Sequence, residues 1–236
     1  MFEFAEKKPI LFEIILIVIS FISVVIFTVF GNALYLSTEL STSIGRIIVG
    51  IALMIIYHRV FSNERSFKDP VIMLPSLLFA VWNVIYNLSS GAVLGGMSYY
   101  TEALVTALAP AIFEEVLFRG IFICNLKKSG KSDMVSLLIS AAFFSALHLT
   151  NIVGSDPISV ALQVGYSFVV GLALGAIYLR NNSIIQVIFV HFLIDFTNRI
   201  YLEPVVSSTV PQLILFGLLL VIEAVYAIRL CSNNSK

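Results

Sequence analysis

Two adjacent carboxylates and a guanidinium, Glu114, Glu115 and Arg119, sit inside an otherwise apolar run that extends from about Ala103 to Leu126. Two later apolar runs each carry an imidazole: Phe144-Ser145-Ala146-Leu147-His148 in one and His191-Phe192-Leu193-Ile194-Asp195 in the other. A glutamate with a neighbouring histidine can take a proton from water. A second histidine with a nearby polar side chain can stabilise the oxyanion of a tetrahedral intermediate. Glu114, His148 and His191 also suit a divalent ion such as Zn²⁺ that keeps an open position for water. Residue types and spacing leave the metal-bound and metal-free arrangements open. Both are hydrolysis within a membrane.

The spacing assigns different tasks to the two carboxylates. On a helix Glu115 and Arg119 are four residues apart, in the order that pairs best. Glu114 points about 100° away from Glu115. We therefore expect a Glu115–Arg119 ion pair and a Glu114 that faces a cavity; a network that only fixed helix register would not need the spare carboxylate. Two carboxylates close together in low dielectric resist joint ionisation, so Arg119, a protonated histidine or a metal must balance them. Asp195 shares the His191 face and can orient that ring or stabilise a reacting group. The third of the three histidines, His58, adjoins Arg59 at a membrane boundary and reads as an interfacial residue.

These residues need a membrane scaffold. The 236 residues are 59% hydrophobic and 12% charged, with a mean hydropathy of +1.00; a soluble domain carries about 25% charged residues. Apolar runs at 9–35, 44–61, 71–95, 103–126, 134–152, 158–179, 184–200 and 211–230 predict about eight transmembrane helices. The expected fold is an all-α polytopic membrane protein, a single transmembrane domain over 1–236 around an intramembrane polar cavity. Its catalytic helices are 103–126, 134–152 and 184–200. A charge near mid-bilayer costs about 2.5–3.5 kcal/mol on insertion scales, so the cluster must face the interior and find partners. The first run is too long for a signal-peptide core and lacks a small-x-small cleavage site, so it reads as an uncleaved span.

Basic residues set the orientation. Lys7 and Lys8 precede the first run, Arg59, Arg65 and Lys68 follow the second, and Lys127, Lys128 and Lys131 follow the fourth. Arg180 follows the sixth, and Arg229 and Lys236 close the chain. The opposite loops, around 36–42, 97–102, 151–157 and 201–211, carry no Lys or Arg; Arg46 and Arg199 lie at helix ends on that side. Both termini are thus expected in the cytoplasm. On this orientation His148 falls toward the outer end of its helix, so that helix should run past Leu149 or sit deep. Cys124 and Cys231 fall at cytoplasmic helix ends and do not suggest a disulfide. The net charge of +0 gives no reason to expect a nucleic-acid partner.

Packing cues are also visible. Gly171-Leu172-Ala173-Leu174-Gly175 has the small-xxx-small spacing of a close helix contact. Asn83 and Asn87 share a face and read as interhelical hydrogen-bonding groups. Pro75 and Pro110 fall inside spans, where each can bend its helix; Pro110 is one turn before Glu114.

Taken together, the three motifs resemble the CAAX protease and bacteriocin-processing (CPBP, or Abi) family of intramembrane proteases. Its pattern is Glu-Glu-x-x-x-Arg, then Phe-x-x-x-His, then His-x-x-x-Asn or Asp, each on its own transmembrane helix. Here these are Glu114 to Arg119, Phe144 to His148, and His191 to Asp195, and Gly120 after the arginine also fits. The resemblance implies a membrane endopeptidase in which Glu114 and His148 activate water, His191 and Asp195 stabilise the oxyanion, and Glu115 and Arg119 support them. It implies either one divalent metal such as zinc or none. The implied partners are a peptide or membrane-associated protein substrate and the lipid bilayer. A bacterial plasma membrane fits best, with a role in bacteriocin self-immunity, peptide-signal maturation or CaaX-like processing. The competing functions are a non-catalytic immunity or scaffold protein and a proton-coupled transporter; no internal repeat supports the latter. Other intramembrane protease patterns are missing: there is no His-Glu-x-x-His, Gly-x-Ser-Gly or Gly-x-Gly-Asp.

Overall fold

Local signals start and stop the helices much as the sequence suggests. The computed structural model describes residues 2–61, 69–202 and 209–233, the side chains of Phe2 and Ser98 excepted. Arg65, Lys68 and Lys236, which contribute to the expected charge asymmetry, lie outside the described residues. A short α1 (Phe2–Lys7) precedes α2 (Pro9–Ala33), where Pro9 occupies a first-turn position that needs no backbone donor. Ser37 accepts from the Leu40 N–H to cap α3 (Thr38–Val60). Asp69 opens a 3₁₀ turn, Pro70–Met73, that leads into α4 (Leu74–Ser89). Pro75 lies inside its span but in the first turn of α4, where the missing backbone donor costs little.

The central rod follows. Helix α5 (Met97–Glu115) runs through Pro110 into a π-helical segment, Val116–Ile123, and on into α6 (Cys124–Lys128). Ser132 caps α7 (Asp133–Leu147), which passes into a 3₁₀ turn over His148–Val153. This continuation is how the fifth span extends beyond Leu149. Asp156 caps α8 (Pro157–Asn181). The Ser159 hydroxyl, with the Ser159 and Ile158 amides, holds the exposed Asp156 carboxyl below its ordinary range. A left-handed residue, Asn182, ends α8, and α9 (Ile184–Arg199) and α10 (Val210–Ser232) complete the chain.

Each of the eight apolar runs is thus a helix, and the protein is an all-α membrane protein. Among the described residues, six stretches are long and apolar enough to cross a bilayer by themselves: 9–33, 38–60, 70–89, 133–153, 157–181 and 210–232. The other two, the rod and α9, carry the Glu-Glu-Arg cluster and the His191–Asp195 pair. At 16 residues α9 is short for a lone span, and the charged residues of the rod lower its apolar content, so their place depends on the helices around them.

Packing encloses the rod. All eight residues of the π segment are buried, whereas α2 and α10 expose rows of apolar side chains such as Ile22, Ile26, Leu218 and Val221. The Gly171 and Gly175 positions meet α7 closely: a β-carbon there would lie 3.2 Å from Ala141 and 2.6 Å from Leu137 Cδ1. That is the packing role read from the motif. Asn83 donates to the Ile194 carbonyl at 2.8 Å and so ties α4 to α9, while Asn87 bonds back to the Asn83 carbonyl.

At Gly50, α3 lies against the rod, and a β-carbon would sit 3.0 Å from Ile112 Cγ2 and 3.3 Å from the Phe113 backbone. Backbone cannot yield as a side-chain tip can. Gly50→Val is therefore expected to cost about 1–3 kcal/mol, read as a lower thermal unfolding midpoint of the detergent-solubilised protein.

Candidate active site

The rod presents its two carboxylates in opposite ways. Glu115 and Arg119 have no exposure at all, and Arg119 Nη1 donates to Glu115 Oε1 at 2.8 Å. Arg119 Nη2 donates to the Gly171 carbonyl at 3.2 Å, and the guanidinium carbon lies 4.3 Å above the centre of the Phe144 ring. His191 Nδ1 reaches the same Glu115 oxygen at 2.7 Å. Glu115 therefore links the rod to α9, and its arginine continues the link to α7 and α8. Glu114 is half-buried and lines a cavity of about 680 Å³, together with His148, His191 and Asp195.

Hydrogen-bond chemistry fixes the tautomers. The His148 Nδ1 lies 3.2 Å from the Phe144 carbonyl. A carbonyl only accepts, so Nδ1 carries the hydrogen and the neutral ring keeps its lone pair on Nε2. His191 Nδ1 likewise carries a hydrogen, because it faces a carboxylate already engaged by an arginine. Its Nε2 is 3.9 Å from Asp195 Oδ1, too far for a direct hydrogen bond. Both imidazoles are anchored at Nδ1, which leaves Nε2 for chemistry.

Phe144 is the residue whose part the sequence did not reveal. It stacks edge-on with Phe118, His148 and His191 at centroid distances of 5.6, 5.4 and 5.9 Å. It fixes both imidazoles and covers the arginine. The only sequence signal was an aromatic one turn before a histidine. Arg46, Glu102, Tyr166 and Arg199 also line the cavity, and no motif marked them.

Glu114, His148 and His191 share the cavity. Among the described residues, however, no three His, Cys, Asp or Glu side chains are grouped closely enough to hold a metal ion. The chemistry that follows uses the side chains alone. His58 lines a separate apolar groove with Arg59, Ile55 and Ile112, away from this cluster.

The family model described as type II CAAX prenyl endopeptidase, Rce1-like, matches residues 97–197. This part of the chain is Rce1-like. The match covers the rod, α7, α8 and nearly all of α9, and so includes every residue of the three motifs. No curated protein and no solved structure matches the chain. At the level of the family, the match supports a membrane-embedded endopeptidase of the CAAX type.

Removing one partner from a buried ion pair strands the other charge and typically costs about 3–5 kcal/mol. Arg119→Leu is expected to destabilise the detergent-solubilised protein by about that amount, and Glu115→Leu with Arg119→Leu to recover part of the loss. Thermal unfolding of the three proteins checks this.

Proposed function

We propose that this protein hydrolyses a peptide bond of a membrane-associated peptide or protein, with water activated by Glu114 and His148. The observation that carries the reading is that Glu114, His148, His191 and Asp195, from three separate motifs, line one polar cavity. Water attacks the carbonyl carbon and passes a proton to the Glu114–His148 pair. The developing oxyanion lies toward His191 and Asp195. With Nδ1–H given to Glu115, His191 donates from Nε2 in its doubly protonated form. The proton then moves to the leaving nitrogen as the C–N bond breaks, which yields a new carboxyl and a new amine terminus. Glu115 and Arg119 act through position: they hold His191 in place and do not touch the reacting atoms.

The setting proposed is a cell membrane, bacterial by the brevity of the loops, with both termini in the cytoplasm. Bacteriocin self-immunity or peptide-signal maturation suits such a protein. Support comes from the family, whose described activity is endopeptidase, and from the distribution of basic residues along the chain.

Glu114→Gln removes the proton acceptor and preserves shape and hydrogen bonding. Loss of a well-placed general base lowers rates by about 10²–10⁴-fold. A peptide-cleavage assay in detergent or vesicles should show that loss with an unchanged unfolding midpoint. Retained cleavage overturns the assignment; a retained immunity phenotype without cleavage would mark a peptide-recognising scaffold.

A further inference from the structure

The lining of the cavity reaches one end of the bundle, and the charge pattern says which side of the membrane that end faces. Its rim is built from Glu39 at the start of α3, Tyr99 and Glu102 at the start of α5, Asn151 beyond α7, and Arg199 at the end of α9. These segments are tied together at one end of the bundle. The Gly95 N–H donates to the Ile200 carbonyl and the Leu202 N–H to the Val93 carbonyl, both at 2.9 Å. Arg199 pairs with Glu39 at 3.2 Å.

The opposite end is held by a different set of contacts. Lys128 donates to the Val60 carbonyl and Asn181 to the Asp69 carbonyl, each at 2.8 Å, and Lys127 pairs with Asp133 at 2.7 Å. Among the described residues Lys7, Lys8, Arg59, Lys127, Lys128, Lys131, Arg180 and Arg229 gather there. Among the described residues the rim end has only Arg46 and Arg199, both on helices and both lining the cavity. Lys and Arg in short flanking loops are retained in the cytoplasm. The basic end is also closed: below Glu115 every residue from Val116 to Ile123 is fully buried, as is Leu126. Among the described residues, this stretch of the rod separates Glu114 from the basic end.

We infer that the cavity opens on the non-cytoplasmic face, and that the substrate is a peptide or protein segment presented from outside the cytoplasm. The substrate clause rests on the proteolytic reading above; the direction of opening does not. A cytoplasmic tail, the kind of substrate the prenyl endopeptidase description suggests, would meet the closed basic end. An exported peptide, or the outer part of a membrane protein, would meet the polar mouth.

Cysteine labelling in intact cells tests this. In the full chain with Cys124→Ser and Cys231→Ser, single cysteines are placed at Val153, which is 92% exposed at the rim, at Gln163 inside the cavity, and at Lys131 on the basic end. A membrane-impermeant maleimide is the probe, and labelling after detergent denaturation gives the total. Val153→Cys and Gln163→Cys should label in intact cells, and Lys131→Cys only after permeabilisation. Labelling of Lys131→Cys in intact cells, alone or with the others, overturns the inference. So does protection of Val153→Cys, or of Gln163→Cys while Val153→Cys reacts. The readout needs no turnover, so it stands or fails independently of what Glu114→Gln does to cleavage.

Discussion

Glu115 is the residue on which the arrangement depends. A carboxylate without water must be neutralised and hydrogen-bonded where it sits. Here one oxygen accepts from both Arg119 and His191. Because the arginine also reaches the Gly171 carbonyl and covers Phe144, a single buried charge draws the rod, α7, α8 and α9 to one point. In lipid there is no hydrophobic drive between helices, and van der Waals packing with polar contacts must hold them. The central charge cluster therefore serves as both the junction of the bundle and the frame of the cavity.

The π segment follows from that demand. A wider i→i+5 turn appears mostly at functional sites, and here it begins directly after Glu115. The carbonyls it displaces need other donors, and the Ser140 hydroxyl meets one of them, at Phe118, at 3.0 Å. Gly120 lies in the same turn against Tyr57, whose ring a β-carbon would meet at 3.1 Å. The tyrosine in turn shares its hydroxyl with Tyr178, 3.2 Å away, which also contacts Cys124. Each irregularity in the rod is thus matched by a small or polar residue on a neighbouring helix. These compensations keep the apolar half of the rod sealed while the other half lines water.

What could be read from the chain was whatever depends on local spacing. The eight apolar runs became helices, since a segment that apolar must satisfy its own backbone in lipid. The Glu115–Arg119 pair follows from four-residue periodicity, and the glycine stripe of α8 meets α7 as its small residues allow. What could not be read depends on tertiary placement. Pro110 lies inside α5 as its spacing suggests, but the π-helical segment that begins after Glu115 left no signal in the sequence. His191 was legible as a site residue, but its bond to Glu115, 76 positions earlier, was not. Nor was the gathering of Arg46 and Glu102 in one cavity: Arg46 reads from the sequence as a helix-end charge, but it lies two turns inside α3.

The two histidines show how placement divides their chemistry. Both are anchored at Nδ1, but by acceptors of different charge. His148 gives its hydrogen to a neutral carbonyl one turn back on its own helix, at the half-exposed end of α7. His191 gives its hydrogen to a carboxylate on another helix, and a second carboxylate stands 3.9 Å from its other nitrogen. A ring between two carboxylates is suited to carry positive charge, and so to face a developing oxyanion. A ring on a neutral carbonyl, open to water, is suited to exchange a proton with it. The proposed division between base and oxyanion partner therefore rests on what each Nδ1 touches, and both contacts are set by the same helices that pack around Glu115.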